Sequence, residues 1–451
     1  MAARDFLKTL KSLDRSSLMA LVLRGSMWSI AGQAATMLVR LASSLILTRL
    51  LFPEAYGVMS LVWMVLFGLA MFSDVGLGPA IMRDKRGNDP DFLNTAWTLQ
   101  AIRGAALWGA SCLIAGPMAT FYHQPELAQL IPVAGLAAIF AGFNSTSVFT
   151  IRRNMNIKAL TIVELSSQVL GSVTTAIWAL IQPSAWAIVG GTLASNLATL
   201  IASHFFLPGI RNRFRWEQSS LRVLVGFGRW IFLSSVFYFL SVQADRFLLG
   251  HYLDMAQLGV YGVAILLSEA VHAIIRRINF DVVLPAYGRV VQADSQRLRS
   301  VFYRARLGID GLLVLPIAAL MILGSRVVGM LYDSRYHEAG WMLQVLCVRL
   351  IMIAVLTNVE VCLVALGKPQ YAFTQNFCRA VWILVSIPIG WSLMGIKGVV
   401  WAVALSEIPV FAVLWVGLAR NRMLSLRSEL RSLLFVGVGA LLGFAVLRLL
   451  P

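Results

Sequence analysis

Thirteen stretches of this chain are apolar over roughly the ~20 residues that an α-helix needs to cross a bilayer. They run at 26–48, 57–79, 94–119, 127–150, 159–181, 184–207, 223–249, 257–285, 306–332, 339–366, 371–393, 397–419 and 432–449. Lipid offers the backbone no hydrogen-bond partner, so a segment in it must close its own bonds as a helix or join a closed barrel. Runs this long are twice the length of a barrel strand, so they read as helices. The fold class that follows is an all-α integral membrane protein. Charged residues make up 13% of the 451, about half the ~25% of a soluble domain. No loop is long enough to fold into a separate soluble domain.

The net charge of +17 raises the question of nucleic acid, and its placement answers it. The basic groups sort onto one face: Arg4, Lys8, Lys11, Arg15 and Arg24; Arg83, Lys85 and Arg86; Arg152, Arg153 and Lys158; Arg211, Arg213, Arg215 and Arg222; Arg289, Arg297, Arg299, Arg304 and Arg306; Lys368; and Arg420, Arg422, Arg427 and Arg431. The opposite loops hold only Arg49, Arg246, Arg335, Lys397 and Arg448. By the positive-inside rule the N-terminus is cytoplasmic. The surplus then reads as topology and contact with anionic lipids, with no nucleic-acid partner. Residues 1–24 lack the long apolar core and small-residue site of a cleavable signal. Phe6, Leu10 and Leu13 at helical spacing suggest a short interfacial helix there. The four cysteines (Cys112, Cys347, Cys362 and Cys378) fall inside spans without CxxC spacing and read as packing residues.

The polar connector Pro208–Leu221 follows the sixth span and divides the chain. The expected organisation is a cytoplasmic interfacial segment 1–24, a six-helix lobe 25–207, a basic linker 208–222, a second lobe 223–420, and a basic tail with an extra helix at 421–451. The halves look related. Thr48-Arg49-Leu50-Leu51 then Tyr56-Gly57-Val58 parallels Asp245-Arg246-Phe247-Leu248-Leu249 then Tyr261-Gly262-Val263. Asp74-Val75-Gly76-Leu77-Gly78-Pro79-Ala80 with Arg83 parallels Asp281-Val282-Val283-Leu284-Pro285-Ala286 with Arg289. Six spans separate the copies, which makes a parallel repeat about an axis along the membrane normal.

Eight arginines lie inside the spans: Arg40, Arg103, Arg229, Arg276, Arg277, Arg326, Arg349 and Arg379. A cation in hydrocarbon costs about 2.5–3.5 kcal/mol even on the lenient insertion scale, so such residues face a polar cavity or a partner. Counted at ~1.5 Å per residue, Arg40 and Arg349 are deepest. Arg229, Arg276, Arg277 and Arg379 ring an inner mouth, and Arg103 and Arg326 lie nearer the interfaces. Glu269, His272 and Arg276 share one helical face, and Arg277 and Asp281 at i, i+4 can pair. The carboxylates within spans are Glu164, Asp245, Glu269, Asp281, Asp310, Glu360 and Glu407. Each could be a proton or sodium site or could neutralise an arginine, either as a structural ion pair or until an anionic substrate displaces it. The charge-partner or ion-coupling candidates among them are Glu269, Asp281, Asp245, Glu360 and Glu164, the last with Gln168 at i, i+4. Asn144, Asn196 and Asn358 read as interhelical hydrogen-bond groups. No P-loop, HExxH or Cys/His metal spacing occurs, so neither a cofactor nor a metal is expected.

The stretches Leu47-Thr48-Arg49-Leu50-Leu51-Phe52-Pro53-Glu54-Ala55-Tyr56-Gly57, Ile151-Arg152-Arg153-Asn154-Met155-Asn156, Asp245-Arg246-Phe247-Leu248-Leu249-Gly250 and Leu258-Gly259-Val260-Tyr261-Gly262 carry a resemblance. In their order the chain resembles the polysaccharide flippases of the multidrug/oligosaccharidyl-lipid/polysaccharide exporter superfamily. The resemblance implies two six-helix transmembrane bundles in a V around a central cationic cavity, here with a possible thirteenth C-terminal helix. It implies a multi-pass protein of the bacterial inner membrane working by alternating access. The implied substrate is an undecaprenyl-diphosphate-linked oligosaccharide, turned from the cytoplasmic to the periplasmic leaflet for exopolysaccharide, capsule or O-antigen synthesis. A polysaccharide polymerase and a chain-length regulator are implied partners. Lipid II flippases share an arginine-lined first span, to which Arg40 corresponds. On this reading the chain is a potential-driven or secondary transporter and not an enzyme. Arg40, Arg277 and Arg349 would bind the diphosphate, and Arg229, Arg276 and Arg379 would gather it. The rivals are a multidrug/cation antiporter of the same superfamily, which would want an acidic cavity, and a membrane-embedded polymerase or acyltransferase, which would want a catalytic loop.

Overall fold

The computed structural model describes residues 15–73, 77–153, 157–221, 239, 242–293, 298–368, 370–425, 429 and 431–449, and among them there is no strand. Several sequence expectations lie outside the described residues: Phe6, Leu10 and Leu13, Asp74-Val75-Gly76, Asn154-Met155-Asn156, and most of the span 223–249 with Arg229. The segment 1–24 is described only from Arg15, where it already belongs to the first long helix. Ten described helices are long and apolar enough to cross a membrane, or eleven if one pair bent by 58° is a single span.

Two compact units divide the chain: 1–52 with 61–236, and 53–60 with 237–451. The first holds α1 (Arg15–Leu50), most of α2 (Pro53–Phe72), α3 (Leu77–Arg83), α4 (Pro90–Phe121), α5 (Leu127–Phe143), α6 (Ser147–Arg153), α7 (Ile157–Ile181) and α8 (Ala185–Phe205). Local chemistry sets the ends. Pro90 at the start of α4 needs no N–H partner, and the Asp89 side chain caps the turn by accepting from the Asp91 N–H. α5 and α6 are the bent pair. Where they part, Asn212 reaches in: its Oδ1 accepts from the Ser145 hydroxyl at 3.0 Å and the Thr146 N–H at 3.1 Å.

The polar connector is fastened to this unit. The N–H groups of Arg213, Arg215 and Glu217 donate to Asn94 Oδ1, Thr98 Oγ1 and Thr95 Oγ1 at 2.9, 3.0 and 3.2 Å. Alternate residues of an extended strand point their N–H groups to one side, and Asn94, Thr95 and Thr98 share one face of α4. Arg86 bridges Asp89 and Glu217, and Arg215 pairs with Asp91 at 3.0 Å. The Phe214 ring sits 4.8 Å from that of Trp97.

The second unit begins, in its described part, with helical residues 242–252. Then come α9 (Met255–Arg277), a π-helical stretch (Ile278–Val283), α10 (Leu284–Ala293), α11 (Leu298–Leu331), α12 (Ala339–Ala365), α13 (Gln370–Met394), α14 (Ile396–Ala404), a 3₁₀ turn (Leu405–Glu407), α15 (Ile408–Arg420) and α16 (Arg431–Leu449). Two prolines explain the irregular turns. Pro285 and Pro409 each lack an N–H and crowd the carbonyl four residues back, at Asp281 and Leu405, where the α-helical ladder gives way. Lipid tails are as apolar as leucine, so close packing and hydrogen bonds hold the helices together, not exclusion of water. α16 meets this need with Gly439 and Gly443, four residues apart: both are buried, and a Cβ on either would press on α11 at Leu315 or Ala319. The expected thirteenth helix is thus a packed part of the second unit.

Gly57 and Gly259 also belong to this unit, each the fifth residue of its helix. A Cβ on Gly57 would clash with the Met255 carbonyl, and one on Gly259 with the Pro53 carbonyl. The reciprocity aligns Gly57 with Gly259, three residues from the Tyr56-Gly57/Tyr261-Gly262 register read from sequence. Arg306 corrects another expectation. Counted among loop charges, it lies inside α11 at 2% exposure, bonded to Asp310 at 3.1 Å and to Glu429. Asn358 bonds Asn279 and Tyr287 across helices, as its type suggests, whereas Asn196 donates to Thr192 of its own helix. Cys347 and Cys362 are buried in α12, Cys378 is half-buried and Cys112 is exposed, all as free thiols.

Candidate functional site

Two of the sequence-flagged arginines meet in the second unit on Glu407, one of the carboxylates that the sequence places within spans. Arg379 of α13 grips Glu407 with Nε to Oε1 at 2.9 Å and Nη2 to Oε2 at 2.7 Å. Arg349 of α12 reaches the same Oε1 through Nε at 3.4 Å. Glu407 is 1% exposed, while the two guanidiniums keep 16% and 14% of their surface. The 3₁₀ turn ahead of Pro409 is what presents Glu407. Asn376 Oδ1 accepts from Arg379 Nη1 at 2.9 Å and fixes the fork from the far side.

Other charged groups gather around this pair. Glu407, Glu269 and Asp245 all act electrostatically on Arg349. Glu269 sits 3.5 Å from His272, and Tyr261 donates to Asp245 at 2.8 Å. Glu360 feels Arg379 and Arg276. Among the described residues, Arg246, Arg276, Arg349 and Arg379 thus stand against Asp245, Glu269, Glu360 and Glu407, a formally neutral set before His272 is counted. The sequence reading foresaw the cations and carboxylates able to neutralise them, but not which of them meet. Its division by depth, with Arg349 deep and Arg379 at a mouth, separates two residues that share one carboxylate.

The remaining candidates have separate surroundings. Arg277 Nε lies 3.6 Å from Asp281, and Arg276 lies over the Phe280 ring at 5.6 Å. Arg40 is on an exposed face of α1, and Arg326 is exposed on α11. Arg103 closes the end of α2, donating to Ala70 O at 2.8 Å and Ser73 Oγ at 3.0 Å. Glu164 pairs with Arg152 at 2.9 Å, and Gln168 donates to Thr36 O. Those two side chains are therefore engaged separately, not converged on a cation site.

Arg349 and Arg379 thus bring two guanidiniums to one buried carboxylate. A guanidinium presents paired donors to phosphate as readily as to carboxylate. Among the described residues, Arg349 hydrogen-bonds through Nε alone. Glu407 holds both guanidiniums in place through these charge-assisted contacts.

The sequence profile of a family described as polysaccharide biosynthesis protein matches residues 46–341. The lipopolysaccharide biosynthesis protein WzxC of Escherichia coli (strain K12) is 24% identical over 399 residues, covering 87% of this chain and 80% of its own. The succinoglycan biosynthesis transport protein ExoT of Rhizobium meliloti (strain 1021) is 20% identical over 398 residues, covering 88% and 80%. Among solved structures, the lipid II flippase MurJ in an inward closed conformation superposes with a TM-score of 0.72 at 12% identity, over 94% of this chain and 93% of its own. An inward-facing multidrug resistance MATE family transporter of the MOP superfamily gives 0.65 at 17% identity, over 86% and 94%. The fold is therefore the two-lobe helical bundle of these membrane transporters.

Proposed function

The chain belongs to the polysaccharide biosynthesis protein family, and from that premise we propose that it is an inner-membrane flippase for a lipid-linked oligosaccharide. The cargo is an undecaprenyl-diphosphate-linked repeat unit, carried from the cytoplasmic to the periplasmic leaflet with the protein's N-terminus in the cytoplasm. The observation that carries the reading is the convergence of Arg349 and Arg379 on Glu407. We assign these two arginines as first ligands of the diphosphate, with Arg276 and Arg277 of the same unit as further contacts. The names of WzxC and ExoT support a polysaccharide cargo.

Energetics support the direction. A diphosphate diester carries about two negative charges, and each is worth roughly 2.3 kcal/mol per 100 mV of membrane potential. With the inside negative, export of the anion runs downhill, whereas the emptied network, formally neutral, returns without work against the potential. In reconstituted vesicles, flipping of a labelled polyprenyl-diphosphate glycan should accelerate with an inside-negative potential and fall at least tenfold in Arg349→Ala/Arg379→Ala. Flipping that ignores the potential removes the energetic part, and a fully active double variant removes the binding assignment. The balanced charge network gives one competing reading its footing, a cation antiporter. Proton-driven uptake of a cationic dye by the same vesicles, without glycan flipping, would favour it.

A further inference from the structure

A groove of about 430 Å³ opens between α13 and α15, away from the charge network. Its walls are Gln370, Tyr371 and Thr374 on α13, and Ala412, Val413, Val416 and Arg420 on α15. Gln370 is the first residue of α13 and Arg420 the last of α15, so the groove mouth lies at one membrane interface. Lys368 and Arg422 flank it in sequence, which marks this as the basic leaflet and, by the positive-inside rule, the cytoplasmic one. The polarity of the groove is graded. Ala412, Val416 and Arg420 fall at i, i+4 and i+8 on one stripe of α15, from methyl groups at depth to a guanidinium ~12 Å further along. Thr374 and Gln370 face them in the same order, with the amide nearest the mouth. The Tyr371 ring packs across Gly417 and brings the two helices together.

We propose that this groove is a binding site for an anionic phospholipid of the inner leaflet. Its phosphodiester sits on Arg420, with Gln370 donating beside it, and an acyl chain lies along Val416 and Ala412. Three features select that occupant. The gradient from apolar depth to cationic mouth matches a lipid lying parallel to the helices. Arg420 is exposed and, unlike Arg349 and Arg379, has no carboxylate partner among the described residues. Arg420 also ends its helix, so its charge stands at the water interface where a headgroup phosphate stands. The site has a mechanical consequence. α13 carries Arg379, and Glu407 immediately precedes α15, so a lipid bridging these helices braces the Arg379–Glu407 contact.

The test uses the full chain in mild detergent, titrated with phosphatidylglycerol and followed by native mass spectrometry. Arg420→Gln and the groove-filling Val416→Trp should each lose one retained lipid, with about tenfold weaker apparent affinity, as expected for one charge-assisted contact. Arg448→Gln, which removes a charge at the other end of the membrane, should retain it. Phosphatidylglycerol should raise the melting temperature of the wild type but not of Arg420→Gln, which separates loss of the site from misfolding. Equal lipid retention by wild type and both variants would overturn the site. So would equal retention of phosphatidylcholine, or displacement of phosphatidylglycerol by an equal concentration of undecaprenyl phosphate.

Discussion

Arg379 and Glu407 face each other fork to fork, with two parallel hydrogen bonds of 2.9 and 2.7 Å, on helices whose residues stand 28 apart in sequence. The pair is buried on the carboxylate side and touched by a second cation, Arg349. Such a carboxylate holds two positive charges in place, and its loss leaves both uncompensated.

Glu407→Ala should therefore lower stability by about 3–5 kcal/mol, the usual consequence of leaving a buried charge without its partner. Arg379→Lys keeps the charge but loses the fork, and should cost less, about 1–2 kcal/mol. Arg379→Gln combined with Glu407→Gln should recover part of the loss. Chemical unfolding in detergent, read by circular dichroism, measures each step. A Glu407→Ala protein as stable as wild type would contradict the role assigned to this carboxylate.

The glycines of α16 offer an internally controlled comparison. Gly439 and Gly443 press on α11, whereas a Cβ on Gly437 would meet nothing within 4 Å. Leucine at 439 or 443 should destabilise by about 1–3 kcal/mol through overpacking. Leucine at 437 should be close to neutral. Equal effects at 437 and 439 in thermal melts would mean that α16 does not dock on this face.

These contrasts mark where sequence sufficed. The spans were legible because bilayer thickness fixes their length and lipid forbids unpaired backbone. The separation of 3.6 Å between Arg277 and Asp281 was likewise implied by a local i, i+4 spacing. Contacts between helices carry no such signal. Nothing in the spacing of Arg349, Arg379 and Glu407 says that they meet. Arg306 was grouped with loop charges because it opens an apolar run, and its partner Glu429 is 123 residues away. The connector read as a spacer because polar composition does not reveal that alternate N–H groups will find Asn94, Thr95 and Thr98. Pro409, two residues after Glu407, marks a break in the helix and so a place where a carboxylate can turn inward.

The fastening of the connector should have a distinct acid limit. Hydrogen bonds from Arg86 first, then from Ser220 and Ser219, hold the Glu217 carboxyl down to about 2. A depressed carboxylate contributes stability that is complete above its unfolded value, about 4.3. That contribution is lost as pH falls from there through the folded value. The contact should therefore be indifferent to pH between 5 and 8, about the range of biological media. Carbon-13 NMR of labelled Glu217 should give a midpoint near 2, rising toward about 4.3 in Arg86→Ala. A wild-type midpoint already near the ordinary value would show that Arg86 does not hold it.

Arg306 should be the latch of the C-terminal segment. Its guanidinium is 2% exposed, bonded to Asp310 on its own helix and to Glu429 beyond α15, and it lies over the Phe302 ring at 5.6 Å. Tyr303, one turn earlier, accepts from the Ser425 N–H at 2.8 Å and donates to the Met423 carbonyl at 3.0 Å. Arg306 and Tyr303 of α11 thus hold the chain between α15 and α16, with Asp310 and Phe302 fixing the guanidinium. Arg306→Met removes the only cation of this cluster among the described residues and leaves two buried carboxylates together, at a cost of about 3–5 kcal/mol. The cheapest relief is for Glu429 to swing out to water and carry the segment with it. Limited trypsin digestion of the full chain should therefore cut at Arg422 or Arg431 at least tenfold faster in Arg306→Met than in wild type. Arg306→Met/Asp310→Leu/Glu429→Leu should restore protection, since an apolar set of similar volume carries no desolvation cost. Unchanged cleavage in the single variant would show that the tyrosine contacts and α16 packing hold the segment without the arginine.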